Sequence, residues 1–268
     1  LGKKDNIGII NWRDIMSVLT DIGYRHSPSK INGWVNAPTK SIAEQMFNIK
    51  SLSNDKMKRG NVVESATRFT LHRDPTDEDL IKYIRKSWDL IQGEDEKNIQ
   101  WIFDSSKLFT QALEERQLKR PKIYQEKFQD HLPSYKFYQI GFADFTYDNI
   151  TVDLKSTGAL PSEPKTDHIR QQAFYWGLSG KKRKFALLYS TNKKYNFFEI
   201  PQKLLVEEWK IVQQNMKWIE RIDDMCNSKQ DWLDMFPVPD TNTFYYKDSG
   251  NFQQQIKNLL KGEQNADN

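Results

Sequence analysis

The chain is poor in cysteine, with Cys226 alone among 268 residues. That excludes an internal disulfide and any metal site or cluster built from several thiolates, and it fits a reducing compartment. Long apolar runs are missing as well. None approaches the roughly 18 residues of a membrane span, and the first residues lack a signal-peptide pattern. A cytoplasmic location (host cytoplasm for a viral protein) and no membrane partner are therefore expected. Internal repeats and low-complexity linkers are also lacking, so one domain over residues 1–268 is expected. Net charge is low, +4, and by itself gives no argument for a nucleic-acid partner.

What is present is a soluble, core-forming composition, 37% hydrophobic and 28% charged, long enough to bury a sizeable core. The charges are unevenly distributed. Seven Lys/Arg stand against two Asp/Glu from Tyr24 to Gly60, four against nine from Asp74 to Asp104, and eight against one from Lys165 to Lys194. Two basic blocks around an acidic one suggest a polarised surface that can steer a polyanion.

Hydrophobic spacing predicts helices over "NWRDIMSVLTDIG", "SPSKINGWVNAP", "MKRGNVVESATRFTLH", "TDEDLIKYIRKSWDLI" and "DSSKLFTQALEERQL", with capping residues at several starts and Gly23 or Pro38 at two ends. The period then changes to two. "KIYQEKFQDHL", "YKFYQIGFADFTY" and "ITVDLKS" read as strands, the last two joined by an Asp148-Asn149 turn. "TDHIRQQAFYWGLS" returns to helix, "KFALLYST" and "YNFFEIP" to strand, and residues 202–225 form a long amphipathic helix. The expected organisation is a mainly helical part (1–120), a sheet with a motif helix (121–200), and a C-terminal helix and tail (201–268). This order predicts an α+β or α/β fold whose sheet is covered by helices.

Charges inside the hairpin are out of place for a core. Asp144 interrupts one apolar alternation, and Asp153 and Lys155 flank Leu154 in the other. Residues two apart on a strand share a face, so Lys155 is expected beside Asp153. Two or three carboxylates suffice to hold Mg²⁺ or Mn²⁺, which keep several waters. Phosphodiester hydrolysis needs a metal to polarise phosphate and activate water, with a cation for the developing charge. Glu64, one helical turn after Gly60, is a candidate third ligand, because a residue without a side chain permits close approach to the sheet. His168, Gln171 and Tyr175 fall on one helical face and are candidates for contacting a substrate backbone. Ser27, Ser29 and Lys30 at a helix start are candidate phosphate holders, with capping as the alternative. Trp34, Tyr175 and Trp176 are candidates for stacking on unpaired bases.

Taken in order, "RGNVVE", "GFAD", "DLK" and "QQAFY" resemble the motifs of the PD-(D/E)xK nuclease superfamily. The similarity is to its RecB-like branch, which includes phage-type exonucleases and the mitochondrial genome maintenance exonuclease. "SPSKINGWVNAP" resembles that branch's opening helix, so the likeness spans roughly residues 27 to 200. It implies a restriction-endonuclease-like core with a central mixed sheet flanked by helices. It also implies Glu64, Asp144, Asp153 and the Leu154 backbone carbonyl as metal ligands, Lys155 as the catalytic lysine, and Gln171 and Tyr175 as positioners of the scissile phosphate. Glu126 resembles an acidic residue often found on the preceding strand. Many relatives carry His where Glu64 stands, and Glu is the choice in lambda-type exonucleases. Relatives with an iron–sulfur cluster place Cys where Ala37 stands and three more near the C-terminus. "FPVPDTNTFYYKDSG" has none, so no cluster is expected.

The activity so implied is a Mg²⁺/Mn²⁺-dependent exonuclease acting on DNA ends, with a homo-oligomer or a single-strand annealing or binding protein as further partners. A structure-specific or sequence-specific endonuclease of the same fold, and a non-catalytic nucleic-acid-binding module, are the alternatives.

Overall fold

In the computed structural model, residues 17–49, 55–93, 95–243, 246 and 251–262 are described. Five strands form a mixed sheet in chain order: β1 (Ile123–Asp130), β2 (Gln139–Thr146), β3 (Ile150–Ser156), β4 (Lys184–Ser190) and β5 (Tyr195–Glu199). Neighbours are antiparallel except β3 and β4, which run parallel. A parallel pair needs a crossover, supplied here by the helix Thr166–Leu178. Tyr147 N–H closes the β2–β3 turn on the Ile150 carbonyl at 2.9 Å.

Among the described residues the helices are α1 (Val18–Asp21), α2 (Pro28–Asn36), α3 (Pro38–Met46), α4 (Asp55–Arg73), α5 (Asp77–Leu90), α6 (Lys97–Glu114), α7 (Thr166–Leu178), α8 (Gln202–Met225), α9 (Lys229–Asp234) and α10 (Phe252–Leu260). Ser27 caps α2, accepting Lys30 N–H, and Pro28 opens it. Thr76 caps α5 in the same way. Residues 11–16 of the first predicted helix, the chain's first residues and part of the segment 236–250 lie outside the described residues.

The sheet divides two cores, as the alternation along β4 makes plain. Phe185, Leu187 and Tyr189 point toward α2, α3, α7 and α8, while Ala186 and Leu188 point toward α4, α5 and α6. A strand covered on both faces reads as a continuous apolar run, which "FALLY" is. The expected mixed sheet flanked by helices is present. No helix of the described residues is long and apolar enough to cross a membrane.

Two boundaries differ from the sequence pattern. Alternation starts the second strand at Tyr135, but β2 begins at Gln139, because the Lys136 and Phe137 N–H groups bind the Glu220 carboxylate of α8 at 2.8 and 3.2 Å instead of a strand neighbour. His26, fully buried, meets the same carboxylate oxygen at 3.0 Å. The helix expected to begin at Asp104 begins at Lys97. Asp104, Ser105 and Ser106 resemble a cap in sequence, but Ser106 donates back to the Phe103 carbonyl at 2.9 Å, as hydroxyls inside helices do.

Candidate active site

The site begins where the β2–β3 ladder ends. Phe145 pairs with Val152 and Thr146 with Thr151, and one further step would set Asp144 opposite Asp153. That step is not taken. Leu154 N–H donates to Asp144 Oδ2 at 2.8 Å, so a side chain replaces the backbone acceptor and the strands part around two carboxylates. Asp153 is buried, 1% exposed, and its Oδ2 lies against the Lys155 ammonium without accepting a well-angled hydrogen bond.

Glu64 arrives from the other side on α4, through a residue that sequence reasoning missed. Gln125 Nε2 donates to Glu64 Oε1 and, at 3.3 Å, to Asp144 Oδ1. On β1 it lies between Tyr124, paired with Phe145, and Glu126, paired with Ala143, and so across from Asp144. Its φ of 53° places a non-glycine residue in the left-handed region, at a cost of roughly 1 kcal/mol or more. No composition or period signal announces such a residue.

Lys155 is held from two directions. Its Nζ meets the Asp153 carboxylate and donates to Gln171 Oε1 at 3.0 Å, while Gln171 Nε2 donates to the Tyr175 hydroxyl at 2.7 Å. An ammonium only donates, so this chain fixes which way the Gln171 amide faces. Tyr175 in turn lies over Gly141, where a Cβ would come within 2.5 Å of its ring.

Electrostatics tie these groups together. Burial, then the charges of Asp153 and Glu64, push the Asp144 carboxyl well above the usual carboxylate range. Burial, with the Asp153 charge, raises Glu64 against the opposing Gln125 hydrogen bond. Burial pulls the Lys155 ammonium down, but Asp153 and Asp144 more than offset that pull, and its pKa is raised.

Of the predicted site residues, Glu64, Asp144, Asp153, Lys155, Gln171 and Tyr175 are brought together, with the Leu154 N–H on Asp144. Gly60 is not what lets α4 approach, because a Cβ there would meet Ser156 Oγ at an ordinary 3.6 Å. Glu126 goes elsewhere, to Arg183 and to the Thr146 hydroxyl. His168 lies against Tyr189, which stands next to Lys155 in the β3–β4 register. Ser27 is spent on capping, Ser29 is 3.3 Å from Ser27, and Lys30 lies over the Tyr24 ring. Trp34, Tyr175 and Trp176 are 0, 2 and 3% exposed. They are core residues, with no ring face open to a base.

The carboxylates of Glu64, Asp144 and Asp153, the first two raised by burial and by their acidic neighbours, are a donor set of the kind suited to a hard divalent cation. Among the described residues no group of three or more His, Cys, Asp or Glu is gathered closely enough to hold a metal. In this arrangement the Gln125 amide joins Glu64 to Asp144, and the Lys155 ammonium meets Asp153. The donor chemistry therefore fits the ion.

No family model and no curated protein matches the chain. Among solved structures, one described as the crystal structure of SSO0001 is similar over 66% of this chain and 83% of that one, at 13% identity and a TM-score of 0.28. A likeness that low carries no argument.

Proposed function

We propose that the chain is a Mg²⁺- or Mn²⁺-dependent deoxyribonuclease that hydrolyses phosphodiester bonds from DNA ends. The observation that supports it is the strand fork, where Asp144 and Asp153 part β2 from β3 beside a lysine already oriented by Gln171. Glu64, Asp144, Asp153 and the Leu154 carbonyl are the residues that would hold the ion, which supplies Lewis acidity and a water of lowered pKa. The rest falls to the chain's own side chains. Lys155, kept charged by its carboxylate neighbours, can meet the negative charge that develops on a non-bridging phosphate oxygen. Gln171 and Tyr175 keep that ammonium from swinging away, and Leu154 N–H fixes one oxygen of Asp144.

End-labelled linear DNA and covalently closed circles, incubated with Mn²⁺, test the reading. Release of nucleotides from linear DNA alone supports an exonuclease, and cutting of circles replaces it with an endonuclease. Asp153→Ala and Lys155→Ala should each lower the rate by about 10²- to 10³-fold or more while DNA binding in a gel-shift assay persists. If neither DNA nor RNA is degraded, the enzyme reading fails and a binding module remains.

A further inference from the structure

Tyr189 is buried beside Lys155 in the β3–β4 ladder, and its hydroxyl serves two neighbours. The oxygen accepts the Lys165 backbone N–H at 3.1 Å and lies 2.7 Å from His168 Nδ1. A phenol has one proton to give. If His168 Nδ1 carried a hydrogen, the Tyr189 oxygen would receive two donors and its own buried proton would have no acceptor among the described residues. Such an orphan is costly. The proton therefore goes from Tyr189 to Nδ1, and the neutral imidazole carries its hydrogen on Nε2.

That nitrogen has no hydrogen-bond partner among the described residues, and His168 is only partly buried. The ring is also held neutral. Burial, with the charges of Lys155 and Lys165, lowers its pKa to about 3. Lys155, Lys165 and the Tyr189 hydroxyl are the titratable groups against it. A second cation beside Lys155 would compete for the carboxylates that the lysine balances, whereas a neutral N–H adds a hydrogen bond without doing so.

We propose that His168, fixed by Tyr189 as the Nε2–H tautomer, is an uncharged hydrogen-bond donor to a phosphate oxygen of the nucleic-acid substrate beside Lys155, with Tyr189 as its positioning residue. The substrate half of this inference rests on the nuclease reading, and the tautomer half does not.

Imidazole ¹H–¹⁵N spectra separate the two. The four histidines are assigned with His168→Gln, and the probe is a short DNA duplex with Ca²⁺. The expected result is an Nε2–H signal for His168 that does not titrate between pH 5 and 8 and shifts downfield on adding the duplex. Tyr189→Phe should release the tautomer and, like His168→Ala, weaken duplex binding about tenfold, with melting curves confirming that both variants fold. His168→Gln, whose amide nitrogen can reach the place of Nε2, should bind within about twofold of the unmodified chain. A hydrogen on Nδ1 overturns the proposal and leaves the nuclease reading intact. A duplex that binds equally well to His168→Ala does the same. A chain that neither binds nor cleaves DNA overturns the nuclease reading and the substrate half with it.

Discussion

Asp144 and Glu64 both have carboxyl groups pushed upward, chiefly by burial and then by neighbouring carboxylates. A raised folded-state pKa means that the fold prefers the protonated acid. The stability each contributes is thus present below the unfolded carboxyl range near pH 4 and is lost as pH rises through the higher folded value. At neutral pH, where both side chains are ionised in the unfolded chain, each group therefore weighs against the fold. Asp144→Asn keeps an acceptor for Leu154 N–H and removes the buried ionisable group, so it should raise the melting temperature at pH 7. About 2–4 °C is expected per kcal/mol of relief in a chain of this size. The gain should vanish near pH 4, and hydrolysis should be lost. Melting curves at both pH values, with a cleavage assay, check this. Gln125→Glu predicts the opposite balance. A fourth carboxylate should lower the melting temperature in EDTA and enlarge the rise on adding Mn²⁺, since an ion that binds only the folded state stabilises it by mass action. An equal or smaller Mn²⁺ effect in the variant would remove Gln125 from the cation site.

At the scale of elements, α7 is what holds Lys155 in place, and α7 is seated by a missing side chain. The ring of Tyr175 lies where a Cβ of residue 141 would be, with Phe174 3.4 Å from the same point. Gly141→Ala should therefore cost about 1–3 kcal/mol by overpacking. It should also loosen the Lys155–Gln171–Tyr175 chain, so activity should fall further than the loss of folded protein explains. Denaturant melts and rates measured well below the midpoint separate the two effects. Much of this frame is legible in sequence, because the change from helical to two-residue spacing marks β1 to β3 and the crossover helix, and the out-of-place charges mark Asp144, Asp153 and Lys155. The fork is not legible. Alternation reads the same whether a ladder closes or parts, and only Leu154 N–H turning to Asp144 distinguishes the two. Gln125 is hidden because its role comes from a left-handed φ that strand propensity does not forecast. Glu126 misleads because its partner, Arg183, is 57 residues away and comes near only through the folded sheet. Aromatic content cannot tell a stacking platform from a core, which is why Trp34, Tyr175 and Trp176 read as candidates for the former.

At the scale of the whole molecule, the basic block from Lys165 to Lys194 is divided by the sheet. Lys181 to Lys184 lie at the start of β4, whereas Lys193 and Lys194 lie in the turn beyond its end, closed by Thr191 N–H on the Lys194 carbonyl at 3.0 Å. Six strand residues, Phe185 to Ser190, separate the two groups, about 20 Å at the usual rise. Asp153 pairs with Leu187 at the middle of β4 and Lys155 with Tyr189 near its end, toward the second group, and Lys165 joins that end through its N–H on Tyr189. The first group is largely engaged within the protein: Lys184 with Glu199 at 2.7 Å, Arg183 with Glu126, and Lys181 over the Trp176 ring. Lys165, Lys193 and Lys194 are exposed, and no ion pair among the described residues uses them. Charge that is free and beside the site can release counterions from a bound strand, and charge already paired at the far end cannot. Replacing Lys165, Lys193 and Lys194 together by Gln should therefore weaken DNA binding at low salt. It should also flatten the slope of log affinity against log salt by about 2 to 3, near 0.9 for each duplex phosphate that is no longer neutralised. The same replacement at Lys181, Lys182 and Lys184 should leave both affinity and slope close to those of the unmodified chain. Fluorescence anisotropy of a labelled duplex with Ca²⁺ across a salt series reads both quantities, and equal losses from the two sets would mean that DNA does not approach along the C-terminal ends of β3 and β4.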